Sequence, residues 1–321
     1  MVEGDSNLRL ASRIPRHAAG GTVLDYLTQR FRYRSAAAWR DEIEAGRVRL
    51  EGRPAKPSDL LRAGVELVWE TVHREPFANV AVRVLQRGAG FVLVDKPAHL
   101  PAHADGPFVR RTLVQISRDL VANQRLQLVH RLDRETSGLC VLAGDDPTRR
   151  HLQRQFAEGA VAKTYLAIVR GELQSDFTVD APIGRAAASS IALRRSAAAD
   201  ARDPQPARTE FAVIARGGGR TLLRCHPATG RTHQIRVHLE ACGAPLLGDK
   251  LYGHPDAHYL AFVERVKREG DARRVPAGEP DRHLLHASDL AFTDPADGTT
   301  VRCHCEPPAD FTAWLPPDAA P

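Results

Sequence analysis

The stretch LVHRLDRETSGLCVLA, residues 128–143, sets one carboxylate, Asp133, between Arg131 and Arg134, ahead of a polar Thr136-Ser137-Gly138 turn and an apolar strand. A carboxylate that leaves water is costly unless a cation or several donors hold its charge. Arg131 points the other way if the segment is extended, so a cation from a distant part of the chain is the expected partner. Held ionised in a dry pocket, Asp133 can act as a nucleophile or as a base. In AKTYLAIVRG, alternate residues of a strand share a face, so Lys163, Tyr165 and Ala167 project together. A ring and an ammonium on one face suit a flat, hydrogen-bonding ligand such as a nucleobase. A lone K-x-Y is more simply a half-exposed strand with a snorkelling lysine.

HPATGRTHQIRVHLEACGAPLLGD predicts a turn at 228–230 and a helix over 232–242 that stops at Gly243. His233, Arg236 and Glu240 share one helix face, and Ile235, Leu239 and Cys242 another. His233 and His238, five apart, fall on different faces, which favours structural or RNA-contacting histidines over metal ligands. FVLVDKPAHLPAH reads as an apolar strand ending in Asp95-Lys96-Pro97, then a loop with His99 and His103.

These segments need a scaffold. Short strands such as FVLVDKP, GLCVLA, KTYLAIV, TEFAVIA and TLLRCHP, with few helices between them, predict an α+β catalytic domain whose mixed or antiparallel sheet is flanked by helices. DDPTRRHLQRQFAEG is a helix with Pro147 in its first turn and Gly159 as its stop. Residues 187–207 and 254–282 read as loops or insertions, the second with a helix at HYLAFVERVKREG. Ahead of this unit, residues 15–72 read as a small α/β module. Its first helix places Val23, Leu24, Leu27 and Phe31 on one face; a second, capped by Ser35, buries Trp39 and Ile43 and stops at Gly46. A hairpin turning at Glu51-Gly52 and a closing strand GVELVWE complete it. Residues 73–85 read as a linker, 86–310 as the catalytic domain and 311–321 as a disordered tail.

Composition narrows the classes. The 321 residues are 43% hydrophobic, enough for one large and one small domain. No apolar run approaches the ~20 residues that span a bilayer, and the N-terminus has no apolar signal core. Five cysteines without paired spacing point to a reduced, cytoplasmic chain. Cys303-His304-Cys305 lies in a strand-like segment with no second ligand cluster and reads as ordinary strand. The net charge is +6, and residues 9–70 hold 12 Lys/Arg against 8 Asp/Glu. Arg30, Arg32, Arg34 and Arg40 gather at the junction of the module's helices, as a solvated basic face or a nucleic-acid contact.

The module's order of helix, basic turn, helix, hairpin and strand resembles the small RNA-binding domain of the ribosomal S-four type, which favours RNA contact. HRLDRETSG, KTY, GRTHQIRVHL and LLGDKLYG stand in the order found in RluA-type RNA pseudouridine synthases. DKPAHLPAH is similar to that family's lysine-proline strand and loop, and LLHASDLAF to its closing segment. The resemblance covers residues 86–295. It implies that Asp133 is the catalytic aspartate, Arg236 the cation paired with it, and Tyr165 the aromatic packed on the target uracil. It implies that Arg131 helps fill the space that the base leaves, and that Lys163, Ile235 and His130 also meet the substrate. It implies no metal and no organic cofactor.

The expected function is isomerisation of a uridine in structured RNA, ribosomal RNA ahead of transfer RNA, by a monomer without an obligate protein partner. The base must flip out of its stack, at a cost of a few kcal/mol that phosphate contacts offset. Asp95 and His99 stand where the family often has asparagine and glycine, which bears on the target rather than on the reaction. A non-catalytic RNA-binding or ribosome-assembly protein would be expected to have lost Asp133, Tyr165 or Arg236. A glycoside hydrolase needs two opposed carboxylates, and Glu135, the only one nearby, is expected to face solvent.

Overall fold

Caps and turns set the local elements. The computed structural model describes residues 6–73, 75–269, 271–273 and 275–319. The chain divides into two compact units, Met1–Pro76 with Ala104–Val109, and Phe77–His103 with Arg110–Pro321.

The first unit runs β1 (Ser6–Arg13), α1 (Val23–Arg30), α2 (Ala36–Glu44), β2 (Val48–Leu50), β3 (Arg53–Pro54) and β4 (Glu66–His73), with sheet order β1-β4-β2-β3. Thr22 and Ser35 cap the two helices by accepting from Asp25 N and Ala38 N. Glu51 and Gly52, with φ of 51° and 80°, make the two-residue hairpin turn, whose geometry needs positive φ at both positions. Val23, Leu27, Trp39, Ile43, Val48 and Trp69 form the core. β1 lies ahead of the expected start at residue 15. Its pairing with β4, from Ser6↔His73 to Arg13↔Glu66, joins segments far apart in the chain, so no local signal announces it.

Glu42 explains a further departure. Its carboxylate accepts from Arg47 Nε (2.8 Å), Trp69 Nε1 (2.7 Å) and Arg34 Nη1 (3.0 Å). Burial alone raises its pKa, but these donors hold it down at about 2. Arg34 also lies over the rings of Trp39 and Trp69, 5.5 and 4.9 Å from their centroids. It is thus drawn into the unit's interior and is not the free phosphate ligand expected of it; Arg30, Arg32 and Arg40 are exposed.

The division at Pro76/Phe77 falls inside the expected linker, but Ala78 and Val82 are buried and β5 begins at Arg83, so the whole of 73–85 is not a free tether. Arg74 lies outside the described residues.

The second unit begins with β5 (Arg83–Arg87), β6 (Phe91–Lys96), α3 (Leu113–Val121), β7 (Gln127–Leu128), β8 (Ser137–Ala143), α4 (Asp146–Ala157), β9 (Ala162–Arg170) and β10 (Phe177–Asp180). It continues through β11 (Ile183–Arg185), β12 (Arg195–Ser196), β13 (Arg202–Gln205), β14 (Arg208–Gly217), β15 (Arg220–Pro227) and α5 (Gln234–Ala241). It closes with α6 (Asp256–Glu269), β16 (Leu285–Thr293), β17 (Thr300–His304) and α7 (Ala309–Thr312). The main sheet has the order β10-β14-β15-β9-β16-β8-β6-β5, with β17 on β16 and β7 on β8. β8 is parallel to β16 and antiparallel to β6, so the sheet is mixed and the fold α+β. Every residue of β8 is buried, as the continuous apolar run of a central strand requires.

Gly138 opens β8 at φ 108°, where an added Cβ would lie 2.2 Å from the carbonyl oxygen of Ala287. This close approach sets Gly138 beside Ala287, which pairs in turn with Tyr165. The strand register thereby brings the Asp133 loop and Tyr165 to the same end of the sheet.

Two expectations fail here. Residues 187–207 are not all loop, because β12 and β13 flank β11 in a separate three-stranded sheet. The tail is not disordered from 311, because Phe311 is fully buried with Ile168, Leu222 and Leu284, and Trp314 and Leu315 pack on that cluster. Its PPDAAP composition hid two apolar anchors just upstream; Ala320 and Pro321 lie outside the described residues.

Candidate active site

Asp133 sits on the loop between β7 and β8, and that loop is pinned from several sides. Thr136 N donates to Asp133 O, closing a turn, and the Thr136 hydroxyl lies 2.7 Å from His283 Nε2. Lys96, wholly buried at the end of β6, directs Nζ at the carbonyls of Pro97 (2.9 Å), Leu100 (2.9 Å) and Arg134 (3.2 Å). Burial draws its pKa down to about 7, while meeting three acceptors at once needs the ammonium. Lys96 therefore ties the DKPAHLPAH loop to the loop that carries Asp133.

Arg236 stands in the first turn of α5. Its Nη1 donates to Asp133 Oδ2 at 2.8 Å, across 103 residues of chain. Its other edge is a two-point contact with Asp249, Nε to Oδ2 at 2.7 Å and Nη2 to Oδ1 at 2.9 Å. Asp249 is itself fixed by the N–H groups of Leu251 and Tyr252, and Tyr252 lays its ring 4.8 Å from the guanidinium carbon. Helix α5 is anchored by the buried Gln234, which accepts from Thr229 Oγ1 and Arg231 N and donates to Arg208 O and Thr209 Oγ1. All four hydrogen-bonding positions of that amide are filled, so the turn before α5 is fixed against β14.

Burial opposes ionisation of Asp133, but His233 at 3.8 Å and Arg236 at 2.8 Å hold its carboxyl well below the ordinary carboxylate range. His233 is driven down to about 4 by burial and by the Arg236 charge. It is neutral at pH 7, so Arg236 supplies the charge that keeps Asp133 ionised.

The pocket in front of Asp133 has a volume of about 380 Å3, within the usual range for small-molecule sites. Tyr165, Lys163, Ile235, Arg131, His130 and Arg236 all line it. Burial pushes the Tyr165 hydroxyl well above its usual range, so this residue offers the pocket a neutral ring rather than a base. Lys163 Nζ donates to Thr229 O at 3.3 Å, and Arg131 is exposed at the rim. His130 is committed to packing. Its ring stacks on Phe156 at 4.4 Å, its Nε2 accepts from Val141 N, and burial lowers its pKa to about 3.

Glu135 does not face solvent as expected. It is buried and accepts from Lys250 Nζ (3.2 Å) and His283 N (3.0 Å). With Asp249 held by Arg236 as well, no second free carboxylate lines the pocket among the described residues, and the two-carboxylate plan of a glycosidase is not formed.

The motifs of the sequence assigned no role to Asp249, Tyr252 or Lys96. One signal was available for the first: a buried arginine has five donors, more than Asp133 can accept, so a second acceptor had to exist, and LLGDKLYG holds it.

The comparisons with known proteins agree with this geometry. A family model described as RNA pseudouridylate synthase matches residues 90–241. Ribosomal large subunit pseudouridine synthase D of Xanthomonas campestris is 33% identical over 326 residues, covering 96% of this chain and 91% of that protein. Ribosomal large subunit pseudouridine synthase C of Escherichia coli is 33% identical over 275 residues, 81% of each chain. The solved structure of Human RNA Pseudouridylate Synthase Domain Containing 1 superposes with a TM-score of 0.56 at 28% identity, covering 73% of this chain and 87% of that one. Similarity over nearly the whole chain, on a mixed sheet that assembles all four motifs, leaves one conclusion: the chain belongs to the RluA-type RNA pseudouridine synthases, isomerases that convert uridine in RNA to pseudouridine.

Proposed function

We propose that Asp133 is the carboxylate that acts on the ribose of a flipped-out uridine in ribosomal RNA, with Arg236 holding it ionised and Tyr165 stacked on the detached uracil. The observation that carries this reading is the asymmetric use of Asp133, a pocket-lining residue: Oδ2 is held by Arg236, while Oδ1 accepts no hydrogen bond among the described residues. Pseudouridine formation breaks the bond from N1 to C1′, turns the ring, joins C5 to C1′, releases the C5 proton and takes one up at N1. Nothing is hydrolysed, so the free ring must stay caged; the neutral Tyr165 and the apolar Ile235 suit that task. Arg131 at the rim fits the space that the base vacates in the strand, and Lys163 the edge of the ring.

Ribosomal RNA is favoured because relatives named for the ribosomal large subunit match most of the chain. Relatives named synthase D and synthase C are both 33% identical, over 96% and 81% of the chain, so the target uridine is to be mapped and not inferred by analogy. Incubation with large-subunit ribosomal RNA transcribed from 5-tritiated uridine is expected to release tritium, and the pseudouridine map of a deletion strain to lose the same position. An unchanged map together with no tritium release would sink the ribosomal reading.

The first unit is proposed to anchor RNA as a monomer's own S-four-type module, working in the cytoplasm. Arg30, Arg32 and Arg40 are its phosphate ligands. Replacing all three by alanine is expected to flatten the slope of log affinity against log salt by close to one unit for each phosphate no longer neutralised. Turnover at saturating RNA should change much less than the apparent KM. An unaltered salt slope refutes the anchor.

A further inference from the structure

His233 occupies the N-cap of α5 yet makes no side-chain cap to the helix, although that position normally serves to satisfy first-turn N–H groups. Its φ of 58° is left-handed, a conformation that costs a residue with a Cβ of order 1 kcal/mol or more. The ring is instead buried beside Tyr252 and Asp133, its side chain 7% exposed.

The hydrogen bonds around it fix where its proton is. Arg195 N donates to Tyr252 Oη at 3.1 Å, and Tyr252 Oη lies 2.8 Å from His233 Nδ1. Burial pushes the Tyr252 hydroxyl far above its ordinary range, so it keeps its proton. Among the described residues Nδ1 is the acceptor that meets that proton. With Nδ1 accepting, a neutral imidazole must carry its single proton on Nε2. Nε2 lies 3.8 Å from Asp133 Oδ1, too far for a hydrogen bond. The site thus presents an unspent N–H donor beside the one carboxylate oxygen that no donor occupies.

We infer that His233 is a further catalytic residue, whose Nε2–H donates to the 2′-hydroxyl oxygen of the flipped uridine and so positions the ribose over Asp133 Oδ1. This rests on the assignment of Asp133. Whether Asp133 attacks C1′ or removes the C2′ proton, the 2′-hydroxyl is the sugar hydroxyl nearest the reacting carbons. A hydroxyl taken into a dry pocket without a partner is costly, and a donor for it lets the site tell RNA from DNA.

The test uses the full chain and a short RNA spanning a mapped target, made with either uridine or 2′-deoxyuridine at that one position and tritiated at C5. The wild type is expected to prefer the ribose substrate about 10²-fold in single-turnover rate, the usual scale for one buried donor. His233→Phe should slow the ribose substrate by about the same factor and the deoxy substrate less than about 3-fold, erasing the preference. His233→Gln, which can put an amide N–H near the same place, should keep most of the preference. Tyr252→Phe, which frees the tautomer, should lose part of it. Equal slowing of both substrates by His233→Phe, or by His233→Ala if the phenylalanine variant does not fold, overturns the assignment; an undiminished preference in Tyr252→Phe overturns the tautomer on which it depends. Asp133→Asn is run beside them: turnover by that variant overturns the Asp133 reading itself, a result distinct from either of these.

Discussion

Asp133→Asn is expected to lower turnover by about 10⁴-fold or more, the scale set by removing a catalytic base or nucleophile, while RNA affinity stays within a few-fold. The two readouts should separate because phosphate contacts generally supply most of the affinity for a nucleic acid. The amide is nearly the same size as the carboxylate and can still accept from Arg236 Nη1 through its oxygen, so the pinned loop keeps its shape. What disappears is the negative charge at Oδ1, the oxygen left free by Arg236. Tritium release in single-turnover reactions with excess enzyme measures the first quantity, and filter binding the second. Measurable turnover by a stringently purified Asn variant sinks the assignment.

The second large effect concerns Arg236, which pairs with two carboxylates at once, the half-buried Asp133 and the fully buried Asp249. Arg236→Ala strands both Asp133 and Asp249, and Asp249 has a side chain with no exposed surface. Breaking a buried ion pair by deleting one partner typically costs about 3–5 kcal/mol of stability, so this variant should lose both activity and thermal stability. Arg236→Lys is the sharper test. A single ammonium cannot keep the two-point contact with Asp249 and still reach Asp133 Oδ2, so turnover should recover little.

The direction of the pH effect follows from the same charges. In the wild type the Asp133 pKa is depressed, so the carboxylate stays ionised and activity is expected to be flat across about pH 6 to 8. Without the guanidinium, the nearest opposing charge is gone and burial, which favours the neutral acid, moves the pKa upward. Residual activity of the lysine variant should therefore climb with pH through that raised value. A lysine variant with wild-type turnover and a flat profile argues that Arg236 does not set the charge of Asp133.

Much of this was legible from the chain because it depends on near neighbours. Capping by Ser35, the Glu51-Gly52 hairpin turn and the Gly159 and Gly243 stops act within a few residues, and they appear where the sequence puts them. Asp133, Tyr165 and Arg236 were singled out by motifs whose order survives in the text of the sequence, and all three line one pocket. The mixed sheet and its α+β class followed from the strand spacing.

What the sequence could not decide were pairings between residues far apart in the chain. Arg34 carries the same charge as Arg32 and Arg40, and only its enclosure by Trp39, Trp69 and Glu42 makes it structural. Glu135 resembles a solvent-facing turn residue until Lys250, 115 residues on, meets it in the interior. Asp249 and Tyr252 gain their meaning from Arg236 and His233, and Phe311 turns an apparently loose tail into part of the core. The physical reason is common to all of them. A charge or a ring has no fixed role of its own, since burial decides whether it needs a partner and the fold decides which partner it meets. The chemistry of the site was written in residue types and motif order; the choice of which oxygen of Asp133 is free, and which arginines are, was made only by tertiary packing.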